Sequence, residues 1–82
     1  MRTPPDILDK SIAFFKSALV EDPEWKNAEQ NLFIFEVIKL YPEFEDKLMS
    51  LTAQQKLELI TVEQYMDGCY TLAKEFIATK EN

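Results

Sequence analysis

Eighty-two residues with a formal charge of −6, one cysteine, one glycine and no histidine exclude several classes of protein at once. Without histidine the commonest general base, the commonest metal ligand and the neutral-range pH switch are all missing, and a lone Cys69 forms neither an internal disulfide nor a cysteine-rich zinc site. Fifteen acids against nine Lys and Arg speak against phosphate-driven binding to DNA or RNA and against an anionic membrane surface.

The first predicted element opens at Thr3-Pro4-Pro5-Asp6. Thr3 is placed to accept from the first free amides, the prolines sit where a missing donor costs nothing, and Asp6 completes a capping-box-like spacing. Leu8, Ile12, Phe15 and Leu19 then recur at helical intervals, with Ile7, Phe14 and Ala18 widening the stripe, which predicts a helix from about Pro4 to Val20. Glu21-Asp22-Pro23-Glu24 breaks it. Pro23 disfavours helical geometry at Asp22 and suits the first turn of a new helix, so Asp22 is the expected cap of the second.

That second element passes Trp25 and Ala28 and runs into Leu32 to Tyr41, a decapeptide whose only polar members are Glu36 and Lys39. Its Phe, Ile and Val suit a strand as well as a helix. A strand needs a neighbour, however, and the chain has neither a second run of β-branched alternation nor an Asn-Gly or Asp-Gly hairpin dipeptide. The stretch is therefore read as helix, ending before Pro42, with Glu36 and Lys39 close enough to pair on its narrow polar strip. Something must cover the rest of it.

Pro42 opens a third helix to about Ser50, with Glu43, Glu45 and Asp46 in its first turns and Phe44, Leu48 and Leu51 available for burial. Two Thr-x-x-Gln starts follow, Thr52 to Gln55 and Thr61 to Gln64, read as one capping solution used twice: first for a short helical turn, then for the last helix. In that helix Val62, Tyr65, Met66, Cys69, Leu72, Ala73, Phe76 and Ile77 keep three-and-four spacing. Gly68 lies beside this face, and since an interior helix glycine costs about 1 kcal/mol relative to alanine, a close helix–helix approach is expected there.

The sum is an all-α fold, a compact single-domain bundle of four main helices plus a short helical turn. Links of a few residues imply antiparallel or steeply crossing neighbours. No run approaches the ~20 apolar residues that span a bilayer. Met1-Arg2-Thr3-Pro4-Pro5 leads into acids rather than an apolar core, so a secretory leader is not expected and the cytoplasm is the expected location. Ser11, Phe15, Ala18 and Pro23 resemble the second helix and closing proline of a tetratricopeptide repeat, which implies peptide binding in a concave groove. Phe33 and Glu36 depart from that pattern and no 34-residue self-similarity follows, so no family is assigned on it.

Function must then come from surfaces. No calcium loop, phosphate-cradling glycine loop or nucleophile with a basic neighbour is present, and Cys69 reads as a small buried hydrophobe. No cofactor, metal or catalytic residue is expected. The candidate partner-binding residues are the apolar Trp25, Phe33, Val37, Leu40 and Tyr41 and the acids Glu43, Glu45 and Asp46. They imply a small acidic, non-catalytic protein–protein interaction module: an inhibitor, immunity factor or regulatory subunit of another protein, including one with a basic surface. A homodimer or stable hetero-complex is favoured over a monomer. Two alternatives remain. Glu21-Asp22-Glu24 and Glu43-Glu45-Asp46, which also suit their helix dipoles, could imitate nucleic-acid phosphates and inhibit a DNA- or RNA-binding enzyme. A small carboxylate-based enzyme would instead need two acids converging in a pocket.

Overall fold

The computed structural model describes residues 3–81, leaving Met1, Arg2 and Asn82 outside the described residues. Four helices follow in order, α1 (Pro5–Glu21), α2 (Lys26–Leu40), α3 (Phe44–Lys56) and α4 (Val62–Glu81), with no strand among the described residues.

Proline grammar sets the first two starts, though not in the way the sequence suggests. Thr3 does not cap α1. Because Thr3 and Pro4 each precede a proline, both are pushed away from helical geometry; Pro4 adopts φ −59°, ψ 145°, and its carbonyl alone accepts from Ile7 and Leu8, at 3.1 Å each. Thr3 points elsewhere. Its amide and hydroxyl donate to the two carboxylate oxygens of Glu45, at 2.9 and 3.0 Å. Asp22 likewise closes α1 instead of opening α2, its amide donating to the Ala18 carbonyl at 2.8 Å. Pro23 and Glu24 then form a turn in which the Trp25 amide reaches the Asp22 carbonyl at 3.2 Å, and Trp25 is the extended residue before α2.

The greasy decapeptide is helical, and α2 is the centre of the bundle. On one side α1 lies antiparallel to it, joined by an Asp9–Lys39 ion pair of 2.6 Å and a Phe15–Phe35 ring stack of 5.9 Å. Lys39 thus pairs across helices, not with Glu36. On the other side α4 runs parallel to α2, through the ring pairs Phe33–Tyr70 at 5.6 Å and Tyr41–Phe76 at 5.5 Å. Val37, expected at a partner surface, faces inward and is only 2% exposed, in one core with Ile34, Ile38, Phe44, Leu48, Cys69 and Phe76.

Helix α3 packs antiparallel along α4, and the glycine on α4 is what lets it close in. A Cβ built on Gly68 would lie 3.1 Å from Leu51 Cδ1, so this glycine marks helix packing, as expected. The separate turn expected at Thr52 is absent: α3 continues through it to Lys56. No proline or glycine stands between Leu51 and Lys56 to stop the helix, and the Thr52 hydroxyl bonds the Tyr65 hydroxyl at 3.1 Å rather than a backbone amide. The second Thr-x-x-Gln does form its reciprocal box, with the Thr61 amide on Gln64 Oε1 at 2.9 Å and the Gln64 amide on Thr61 Oγ1 at 3.1 Å.

Between them α3 ends in a Schellman motif, the Leu59 amide on the Gln54 carbonyl at 2.9 Å and the Glu58 amide on that of Gln55 at 3.0 Å. Glu58 occupies the left-handed position at φ 59°, where a side chain is strained and glycine is not. Glu58→Gly is therefore expected to stabilise the fold by about 0.5–1 kcal/mol, after allowing for glycine's extra freedom when unfolded. A higher midpoint of urea denaturation checks it.

The packing is uneven. Among the helices α1 touches α2 alone, and α2 and α3 meet only sparingly, although both pack on α4. The radius of gyration, 12.8 Å, is slightly wider than the ~12 Å of a close-packed chain this long.

Candidate functional site

The sparse meeting of α2 and α3 leaves a groove of about 580 Å³, within the ~300–1,000 Å³ typical of ligand clefts. Its walls are Ile34, Phe35 and Ile38 from α2 and Leu48, Met49 and Ala53 from α3, and α4 supplies the floor with Tyr65, Met66 and Cys69. The rim is polar, with Asn31 on α2, Glu45 and Asp46 at the start of α3 and Lys56 at its end. Thr3 closes the Glu45 end through its paired bonds to that carboxylate, a link between the start of α1 and α3.

One polar contact crosses the floor, Thr52 Oγ1 to Tyr65 OH at 3.1 Å, with Cys69 one turn along α4 from Tyr65. Burial pushes the Cys69 thiol above its ordinary value of 9.0, an effect that the Tyr65 hydrogen bond partly offsets. Burial also raises the Tyr65 phenol above 10.0; the Thr52 bond opposes this and Cys69 adds to it. Both groups are thus neutral near pH 7, and Cys69 is no thiolate nucleophile. The sign for stability follows from linkage. With folded values raised, the unfolded chain loses these protons first, so the stabilisation is whole below about pH 9 and drains as pH climbs past 9 and 10 toward the folded values. Urea midpoints taken from pH 7 to about 11 should be flat and then fall, with a shallower fall in Tyr65→Phe.

The sequence candidates divide. Glu45 and Asp46 stand on the groove rim. Glu43 lies just outside, 3.7 Å from Lys80. Phe33 and Tyr41 are half-buried against Tyr70 and Phe76, which leaves them little face for a partner. Val37 is core and offers no face to a partner. Leu40 at 70% and Trp25 at 42% are exposed, but neither lines the groove. Of the other groove residues, Ile34, Phe35, Ile38 and Met49 look in sequence like any other core-facing positions, Met66 reads as part of the α4 stripe and Thr52 as a helix cap.

The two acidic clusters do not merge. Glu21-Asp22-Glu24 sits where α1 passes to α2 and Glu43-Glu45-Asp46 where α2 passes to α3, so the whole length of α2, about 22 Å, separates them. Among the described residues no group of three or more Cys, Asp or Glu could hold a metal ion. No helix in the described residues is long and apolar enough to cross a membrane. Comparison of the chain with protein families, with curated proteins and with solved structures gave no match.

Proposed function

We propose that this chain is a non-catalytic protein–protein interaction module, an inhibitor, immunity factor or regulatory subunit, whose α2–α3 groove receives a segment of another protein. The observation that carries the reading is the groove itself, an apolar trough open to solvent with acids at one end of its rim, in a chain of net charge −6. A buried, protonated Cys69 suits a reducing compartment such as the cytoplasm. Exposed Ile7 and Phe14, two turns apart on α1, are the surface a second copy would cover. The phosphate-mimic reading needs carboxylates in one row, and the separation of the two clusters supports the groove instead.

Selection from a random peptide display library tests this. Peptides that bind the chain are expected to lose at least about tenfold in affinity to Ala53→Trp, which fills the groove from an exposed wall position, and to keep their affinity for Leu40→Asp. Binding indifferent to the Trp substitution would place the interaction elsewhere and end the proposal.

A further inference from the structure

The groove holds one pair of hydroxyls among its apolar side chains. Thr52 Oγ1 and Tyr65 OH lie 3.1 Å apart, one on α3 and one on α4, and both residues are half-buried and line the groove with Ile34, Ile38, Leu48 and Met66. Two hydroxyls carry two hydrogens, and the bond between them uses one. Burial holds the phenol above its ordinary value of 10.0, so both hydrogens are present at neutral pH. Whichever group donates, the other keeps a hydrogen to give. The remaining polar side chain beside Tyr65 is the Cys69 thiol, whose sulfur is a weak acceptor. Nor does packing require the pair, because two apolar groups of the same shape join helices nearly as well as a bonded polar pair.

We infer that the segment received by the groove carries a hydrogen-bond acceptor, a carbonyl or carboxylate oxygen, that meets this spare hydrogen, so that Thr52 and Tyr65 together set the groove's specificity. This rests on the groove being the partner site. A hydroxyl open to solvent loses nothing, but a segment that fills the groove takes the solvent away. An apolar side chain over the pair leaves the hydrogen without an acceptor, and an unmet buried donor is penalised more heavily than a made bond is rewarded. The groove therefore discriminates by rejection: it accepts apolar side chains along its walls and excludes a segment that is apolar throughout. The pair is also redundant. With the Thr52 hydroxyl removed, Tyr65 is free to donate; with the Tyr65 hydroxyl removed, Thr52 is.

That redundancy provides the test. The probes are peptides selected from a random display library on the parent chain and kept where Ala53→Trp blocks them. Titrated by fluorescence anisotropy, they are expected to bind Thr52→Val and Tyr65→Phe within about threefold of the parent, and the double variant at least about tenfold more weakly. A purely structural pair behaves otherwise, since its bond is already lost in either single variant and the whole loss of affinity would appear there. A second selection, on the double variant, should give peptides that bind the parent at least about fivefold more weakly than the double variant, a reversal that a loosened fold does not produce. Circular dichroism through a urea titration confirms that each variant folds, and Thr52→Ala with Tyr65→Phe replaces the double variant if it does not. Parent-selected peptides that bind the double variant as tightly as the parent, or that lose their full affinity to one single variant, overturn the inference and leave the groove as the partner site. If Ala53→Trp blocks none of the selected peptides, the groove and its acceptor fall together.

Discussion

Phe44→Ala is expected to cost about 3–5 kcal/mol, the range for truncating a buried aromatic. Among the described residues Phe44 is the largest side chain with no exposed surface, at 0%, and its ring lies 5.1 Å from that of Phe76, which also meets Tyr41 at 5.5 Å. The three rings come from the start of α3, the last third of α4 and the residue after α2, so they hold together the end of the bundle where those helices converge. A chain of this size has about 4–12 kcal/mol of total stability. Losing this ring should therefore lower the thermal midpoint by more than about 15 °C or remove the cooperative transition. Phe44→Leu, which retains most of the volume, should keep more than half of that loss from appearing. A midpoint for Phe44→Ala within a few degrees of the parent would mean that the convergence of the three helices does not depend on this ring.

Val37→Asp and Leu40→Asp should differ sharply although the two positions are only three residues apart. At 2% exposed and within the apolar core that also holds Ile34, Ile38 and Phe76, position 37 offers a carboxylate no partner, and an unpaired charge there should cost about 3–5 kcal/mol or more. Leu40 is 70% exposed, and its replacement should change stability by no more than about 0.5 kcal/mol. Circular dichroism at 222 nm through a urea titration reads both. A folded Val37→Asp protein would show that α2 turns a different face to the core.

These two positions also show how far the sequence could be read. That Leu32 to Tyr41 forms a helix followed from the absence of any strand for it to pair with, an argument about the whole chain, and the structure agrees. Which of its apolar residues would be covered did not follow, because a helix greasy on most sides carries no stripe that distinguishes Val37 from Leu40. In α4 the stripe is distinct and the cap is reciprocal, and there both the start at Thr61 and the buried Cys69, Ala73 and Phe76 were legible. The same Thr-x-x-Gln pattern misled at Thr52, since a cap requires that the chain ahead of it not already be helical, and nothing between Leu51 and Lys56 interrupts α3.

Of the candidate site, the acids on its rim could be found and the trough could not. Glu45 and Asp46 stood out as charges near a helix start. The groove is what α2 and α3 leave between them when both lean on α4, and no local pattern records a distance between two helices. Thr3 illustrates the same limit: its place in the sequence suits a cap, whereas its bonds are made to Glu45, forty-two residues away.

Because α1 leans on α2 and on no other helix, its release would leave the contacts among α2, α3 and α4 unbroken. Opening of α1 breaks the Asp9–Lys39 pair and the hold of Thr3 on Glu45 while leaving the rings of Phe44 and Phe76 in place. Such an excursion costs less than global unfolding, so the native ensemble includes a minor species of three helices in which α2 is bared along a second flank.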